Sequence, residues 1–166
     1  IGRQADLRIK KSVHKNVSLG LTATVFFVVL VFIYFTDINP ARANKSILET
    51  IKSIYSQPLL AGENFSRVIK IGSPHVDDIR NDFAKAITEA APQFIQNQAT
   101  DTLKKLFELS ADELEKNKKL HPLDIRTHIQ LAQQYSYYAQ VFNQPEYLRK
   151  AEENLELALA VSPRRQ

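Results

Sequence analysis

Residues 8–37 read RIKKSVHKNVSLGLTATVFFVVLVFIYFTD, and no charged side chain falls between Lys15 and Asp37. Asn16 to Thr36 is an uncharged run of 21 residues. At about 1.5 Å per residue, a helix of that length covers a hydrocarbon core of roughly 30 Å. Val, Ile and Phe dominate the run. Their β-branching is no obstacle in lipid, where a spanning segment must satisfy its backbone polar groups internally and helix is the way to do so. Phe32, Tyr34 and Phe35 stand at the outer end, where an aromatic belt is expected. A buried helix of a soluble protein is seldom apolar all round over such a length. A cleavable signal is the closer rival, since Ala41-Arg42-Ala43 fits the small-residue site. However, the apolar run exceeds the usual upper limit of about 15 for a signal, and helical patterning continues through the supposed cut. The run therefore reads as a transmembrane helix, residues 16–36.

Working outward, the flanks set the orientation. Arg3, Arg8, Lys10, Lys11 and Lys15 precede the span, and Arg42, Lys45 and Lys52 follow it. The positive-inside rule places residues 1–15 in the cytoplasm as a basic segment and residues 37–166 outside it. The chain carries 22 basic and 18 acidic side chains. Five of the basic and one of the acidic, Asp6, lie before residue 17, and the rest cancel. The net charge of +4 is thus a topology signal. No basic footprint marks the tail, and nucleic acid is not expected as a partner. No Cys is present, which excludes disulfides and thiolate metal sites. The chain begins at Ile1 and contains no Met, so it reads as an excerpt or a processed product.

Beyond the span, Asn39-Pro40 reads as a helix start, with Asn as N-cap and Pro in the first position. Ile47, Leu48, Ile51, Ile54 and Tyr55 repeat as one apolar stripe, and Pro58 stops it. A short piece around Phe65, Val68 and Ile69 ends at Gly72. Residues 37–72 are expected to form an amphipathic helical connector. Ser73-Pro74 opens a helix with Val76, Ile79, Phe83 and Ile87 on one face, ended or kinked by Pro92. The next carries Leu103, Leu106, Phe107 and Leu114 and stops before His121-Pro122. From Asp124, Leu131, Ala132, Tyr135, Tyr138 and Ala139 form a stripe. After the FNQPE loop, Leu148, Ala151, Leu155, Ala158 and Leu159 form another. No window shows a strand pattern. The expected fold is all-α, a transmembrane helix followed by short amphipathic helices in antiparallel pairs.

The last two helices resemble a tetratricopeptide repeat. Leu131, Ala132 and Tyr135 match its first helix, and Ala151, Leu155, Ala158 and Pro163 its second, at the family's spacing. His128 stands where that family commonly has Trp, and the segment between the helices is longer. A fainter copy precedes it: SPHVDDIRNDFAKAI and HPLDIRTHIQLAQQY share a Pro and a D-I-R before an apolar helix. Residues 73–166 are thus expected to hold one clear and one degenerate repeat. The order of span, amphipathic helix and D-I-R-bearing repeats resembles the C-terminal part of bacterial O-antigen ligase/polymerase-family membrane proteins. That resemblance implies a polytopic parent in the bacterial inner membrane acting on lipid-linked glycans. The tail would then serve protein interaction or positioning, with the bilayer, another protein or further spans, and glycan as partners. The alternative is a single-span anchored repeat scaffold with no enzymatic activity.

The sequence offers no nucleophile elbow, phosphate loop or H-E-x-x-H motif. No catalytic residue, cofactor site or metal site is assigned. The nearest metal candidate, His75 with Asp77 and Asp78, reads more simply as acids favouring a helix dipole. Tyr135 and Tyr138 read as core and Tyr137 as outward-facing, although all could stack on sugar rings.

Overall fold

The structure is a computed structural model that describes residues 20–162. The basic segment 1–15, the first residues of the expected span and Pro163 lie outside the described residues. All secondary structure among the described residues is helical, in six helices. The first, α1, spans Gly20–Ser56. The chain divides into two compact units, Ile1–Pro40 and Ala41–Gln166.

In the first unit, the apolar stretch is helical and none of its side chains is covered by protein. It is long and apolar enough to cross a membrane. The helix start expected at Asn39-Pro40 is absent, because the helix runs through both residues. A π turn, Tyr34–Ile38, explains how. Pro40 has no N–H to give the Thr36 carbonyl, and its ring would crowd that carbonyl in a regular helix. The widened turn, in which the Asn39 N–H bonds to the Tyr34 carbonyl, takes up the mismatch without ending the helix.

The second unit contains the rest of α1 and five further helices: α2 (Pro58–Ile69), α3 (Val76–Gln96), α4 (Thr100–Leu120), α5 (Ile125–Phe142) and α6 (Glu146–Val161). Their ends follow local chemistry. Gln57 leaves the helical region ahead of Pro58, as the residue before proline tends to. Gly72, Gln98 and Asn143 take positive φ at or beyond helix ends, where a left-handed residue satisfies orphan carbonyls. Asp124 caps α5, accepting the Arg126 N–H and the Thr127 hydroxyl. Pro92 neither ends nor caps a helix: α3 runs past it to Gln96.

Helices packed against their successors are α2 on α3, α3 on α4, α4 on α5 and α5 on α6; α2 also packs on α4, and α3 on α5. The expected connector, 37–72, shares the main core: Ala43, Ile47, Ile54, Phe65 and Val68 pack with Ile79, Phe83, Ile87, Phe94, Leu103 and Phe107. A second core joins Ala84, Leu114, Leu131, Ala132, Tyr135 and Ala151. Ala151→Arg places a charged side chain in this α5–α6 seam. It is expected to lower stability by about 1–3 kcal/mol through overpacking alone. The loss should register as a lower thermal midpoint by circular dichroism. An unchanged midpoint would contradict the seam.

Polar groups between α3 and α4 are mutually satisfied. Arg80 Nε donates to Glu113 at 2.9 Å and its Nη1 to Asn117 Oδ1 at 2.7 Å. Lys116 pairs with the other oxygen of Glu113. The two D-I-R segments meet: Asp78 of the first pairs with Arg126 of the second at 2.6 Å. Asp77 accepts from His121 at 2.8 Å. Both acids once considered for a metal are therefore held by cationic or imidazole partners. No group of metal-ligating side chains occurs among the described residues.

Candidate functional site

The residues singled out for the repeat signature fall on facing helices α5 and α6. Leu131, Ala132, Tyr135, Ala151 and Ala158 are buried. Leu155 is 48 % exposed, and Leu148 and Leu159 also face outward. Asn154 takes the inward position instead. The reason is hydrogen bonding. His128 is buried, with Nε2 at 2.8 Å from the Pro122 carbonyl. Asn154 Oδ1 accepts from Lys118 at 3.0 Å and its Nδ2 donates to the Lys150 carbonyl at 2.7 Å, with the imidazole Nδ1 of His128 3.5 Å from that oxygen. A leucine in that place would take away the acceptor of Lys118 and set an apolar side chain against the buried imidazole. Small side chains at Ala132, Ala151 and Ala158 let the two helices approach closely.

Helices α4, α5 and α6 line a cavity of about 190 Å³. Its walls are aromatic: Phe107, Tyr135, Tyr138 and Tyr147. Tyr147 stands with its centroid 4.4 Å from that of Tyr138 and 5.7 Å from that of Tyr135. Its polar lining comes from Glu108 and Asp112, one turn apart on α4, from Gln134 on α5 and from Lys150 on α6. Tyr138 donates its hydroxyl to Glu108 at 2.8 Å, and Tyr135 donates to Glu115 at 3.0 Å. Lys150 forms no ion pair among the described residues. Its ammonium rests 4.4 Å from the Tyr147 ring centroid and 5.5 Å from that of Tyr135. No protein-family model, curated protein or solved structure matches the chain.

Both phenols are shifted upward. For Tyr135, burial is the larger cause and the Glu115 carboxylate the next. For Tyr138, burial again leads, followed by its hydrogen bond to Glu108. Ionisation therefore occurs in the unfolded chain near the ordinary value of 10.0 and in the folded chain only at higher pH. The stabilisation is complete below pH 10 and is lost as pH rises beyond it. Between the two values, each tyrosine makes the folded chain less stable as pH rises, because the unfolded chain has already lost the proton. Urea midpoints at pH 9 and pH 11 should differ sharply in the natural chain. The difference should shrink in Tyr135→Phe/Tyr138→Phe.

Sequence reading placed Tyr135 and Tyr138 in the core and Tyr137 outward, and the structure puts them there. It missed Glu108, Asp112, Gln134 and Lys150. These positions lie on three different helices, and no spacing along the chain links them. The one available signal was the i, i+4 pair Glu108/Asp112, which in isolation describes any solvated helix face.

Proposed function

We propose that this chain is a membrane-anchored helical interaction module. In finer detail, we read it as the last span and extracytoplasmic tetratricopeptide-type tail of an O-antigen ligase/polymerase-like inner-membrane protein acting on lipid-linked glycans. The observation that carries the reading is the contrast between the two units: an uncovered apolar helix, and a well-packed helical unit. The unit's last pair closes on Ala132, Ala151 and Ala158. Helix on successive helix is the packing by which repeat proteins build binding surfaces, and the aromatic cavity between α4, α5 and α6 supports this reading. The resemblance in residue order supplies the glycan-ligase part of the proposal. No catalytic role is assigned to the tail.

The orientation has a direct test, because the chain has no Cys of its own. Gln140 is exposed on α5. In Gln140→Cys, an impermeant maleimide added to intact spheroplasts is expected to label the protein fully. Labelling only after lysis would reverse the topology. The parent enzyme is tested by the coding sequence upstream of Ile1. Many apolar spans with a long loop rich in Arg and His support a ligase or polymerase. A start codon shortly upstream favours the anchored scaffold.

A further inference from the structure

The cavity between α4, α5 and α6 is short of donors. Both tyrosine hydroxyls at its wall are already spent on carboxylates outside or at its rim. Asp112 makes no hydrogen bond or ion pair among the described residues. Gln134, 1 % exposed and lining the same cavity, keeps its side-chain oxygen without a partner, while its amide nitrogen is committed to the Ala84 carbonyl. Glu108 accepts a single phenol proton and has acceptor capacity left. Among the described residues the only cation at the cavity is Lys150, and it lies over aromatic rings and pairs with neither carboxylate. A neutral sugar needs donors as well as acceptors from its site and finds few here. Aromatic faces beside unpaired carboxylates favour a cation.

Resting on the reading of this unit as an interaction module, we propose that the cavity recognises a guanidinium or primary ammonium group. The guest would take the ring faces now covered by Lys150 and pair with Asp112 and Glu108. Lys150 is then a built-in occupant that swings out to solvent on its flexible stem when the guest arrives. An arginine fits best. Its planar fork can bond two carboxylates while stacking on Tyr147, which a point-charge ammonium cannot do. The group could come from a partner protein's side chain or from a free small cation, and the chemistry of capture is the same.

The test is calorimetric titration of the full chain in mild detergent. The probes are Nα-acetyl-arginine amide, its uncharged citrulline counterpart and the peptide acetyl-Gly-Arg-Gly-amide. The arginine probes are expected to bind and the citrulline probe to bind at least tenfold more weakly. Asp112→Asn should weaken arginine binding by about tenfold, as expected for losing a charge-assisted bond. Lys150→Gln should tighten it about threefold by vacating the rings and removing a like charge. A peptide that binds at least tenfold better than the amide assigns the site to a protein segment, and equal binding assigns it to a free cation. Equal binding of citrulline would overturn the proposal, as would tighter binding of a methyl hexoside or indifference to both substitutions. A melting curve of each variant separates such failure from unfolding. Because binding is read on the isolated chain, a negative result leaves the topology and the enzymatic parent untouched, and labelling from the wrong side leaves the cavity's chemistry untouched.

Discussion

Arg80→Met is expected to destabilise the helical unit by about 3–5 kcal/mol, the usual loss when one partner of a buried ion pair is removed. The guanidinium bridges two helices. It holds Glu113 and Asn117 on α4 from its place on α3, and all three side chains are buried. Without it, Glu113 keeps only Lys116, whose own side chain is largely exposed, and the Asn117 oxygen loses its donor. The substitution retains most of the side chain's length, so the loss reports electrostatics and hydrogen bonding more than packing. Adding Glu113→Leu should recover much of it, because well-packed apolar residues often match or exceed a buried ion pair in stability. Urea denaturation in mild detergent, followed by circular dichroism, gives both values. A single-variant loss below about 1 kcal/mol would mean that water reaches the cluster and that Arg80 acts as a surface residue.

Phe83→Ala is expected to cost about 3–5 kcal/mol, in the range for deleting a buried aromatic side chain. Phe83 and Phe65 are fully buried and stack with centroids 3.8 Å apart and planes 6° from parallel. Phe65 comes from α2 and Phe83 from α3, so the pair ties the expected connector to the helices that follow it. Phe83→Leu should cost much less, since it keeps most of the volume. The same denaturation experiment decides whether α2 belongs to the cooperative unit. A loss of less than about 1 kcal/mol for Phe83→Ala, with the rest of the transition unchanged, would show α2 unfolding separately from the core.

The pattern of residues along the chain was enough for the apolar helix and for most helix positions. An uncharged run of this length has one stable arrangement in lipid, and stripes at helical spacing leave little choice of secondary structure. The stops at Pro58, Gly72 and His121-Pro122 were legible because proline and left-handed residues act locally. The failures have a common cause. Asn39-Pro40 looked like a start, but the helix runs through it, and of the two outcomes expected at Pro92, an end or a kink, the end does not occur. Whether a helix breaks or absorbs a proline depends on the turn before it and the packing around it, as the π turn ahead of Pro40 shows.

The inward face of α6 was misread for a related reason. Apolar periodicity favoured Leu155, but Asn154 takes the inward position, where its Oδ1 accepts from Lys118 of α4. The membership of residues 41–72 in the main core was likewise hidden, since Phe65 meets Phe83 only after the chain has turned. So was the cavity, whose carboxylates, tyrosines and lysine come from three helices. Local preferences act over a few residues and can be read in order along the chain. Which buried polar groups find partners, and which side chains remain unpaired around a cavity, depends on distances between helices that no linear spacing encodes.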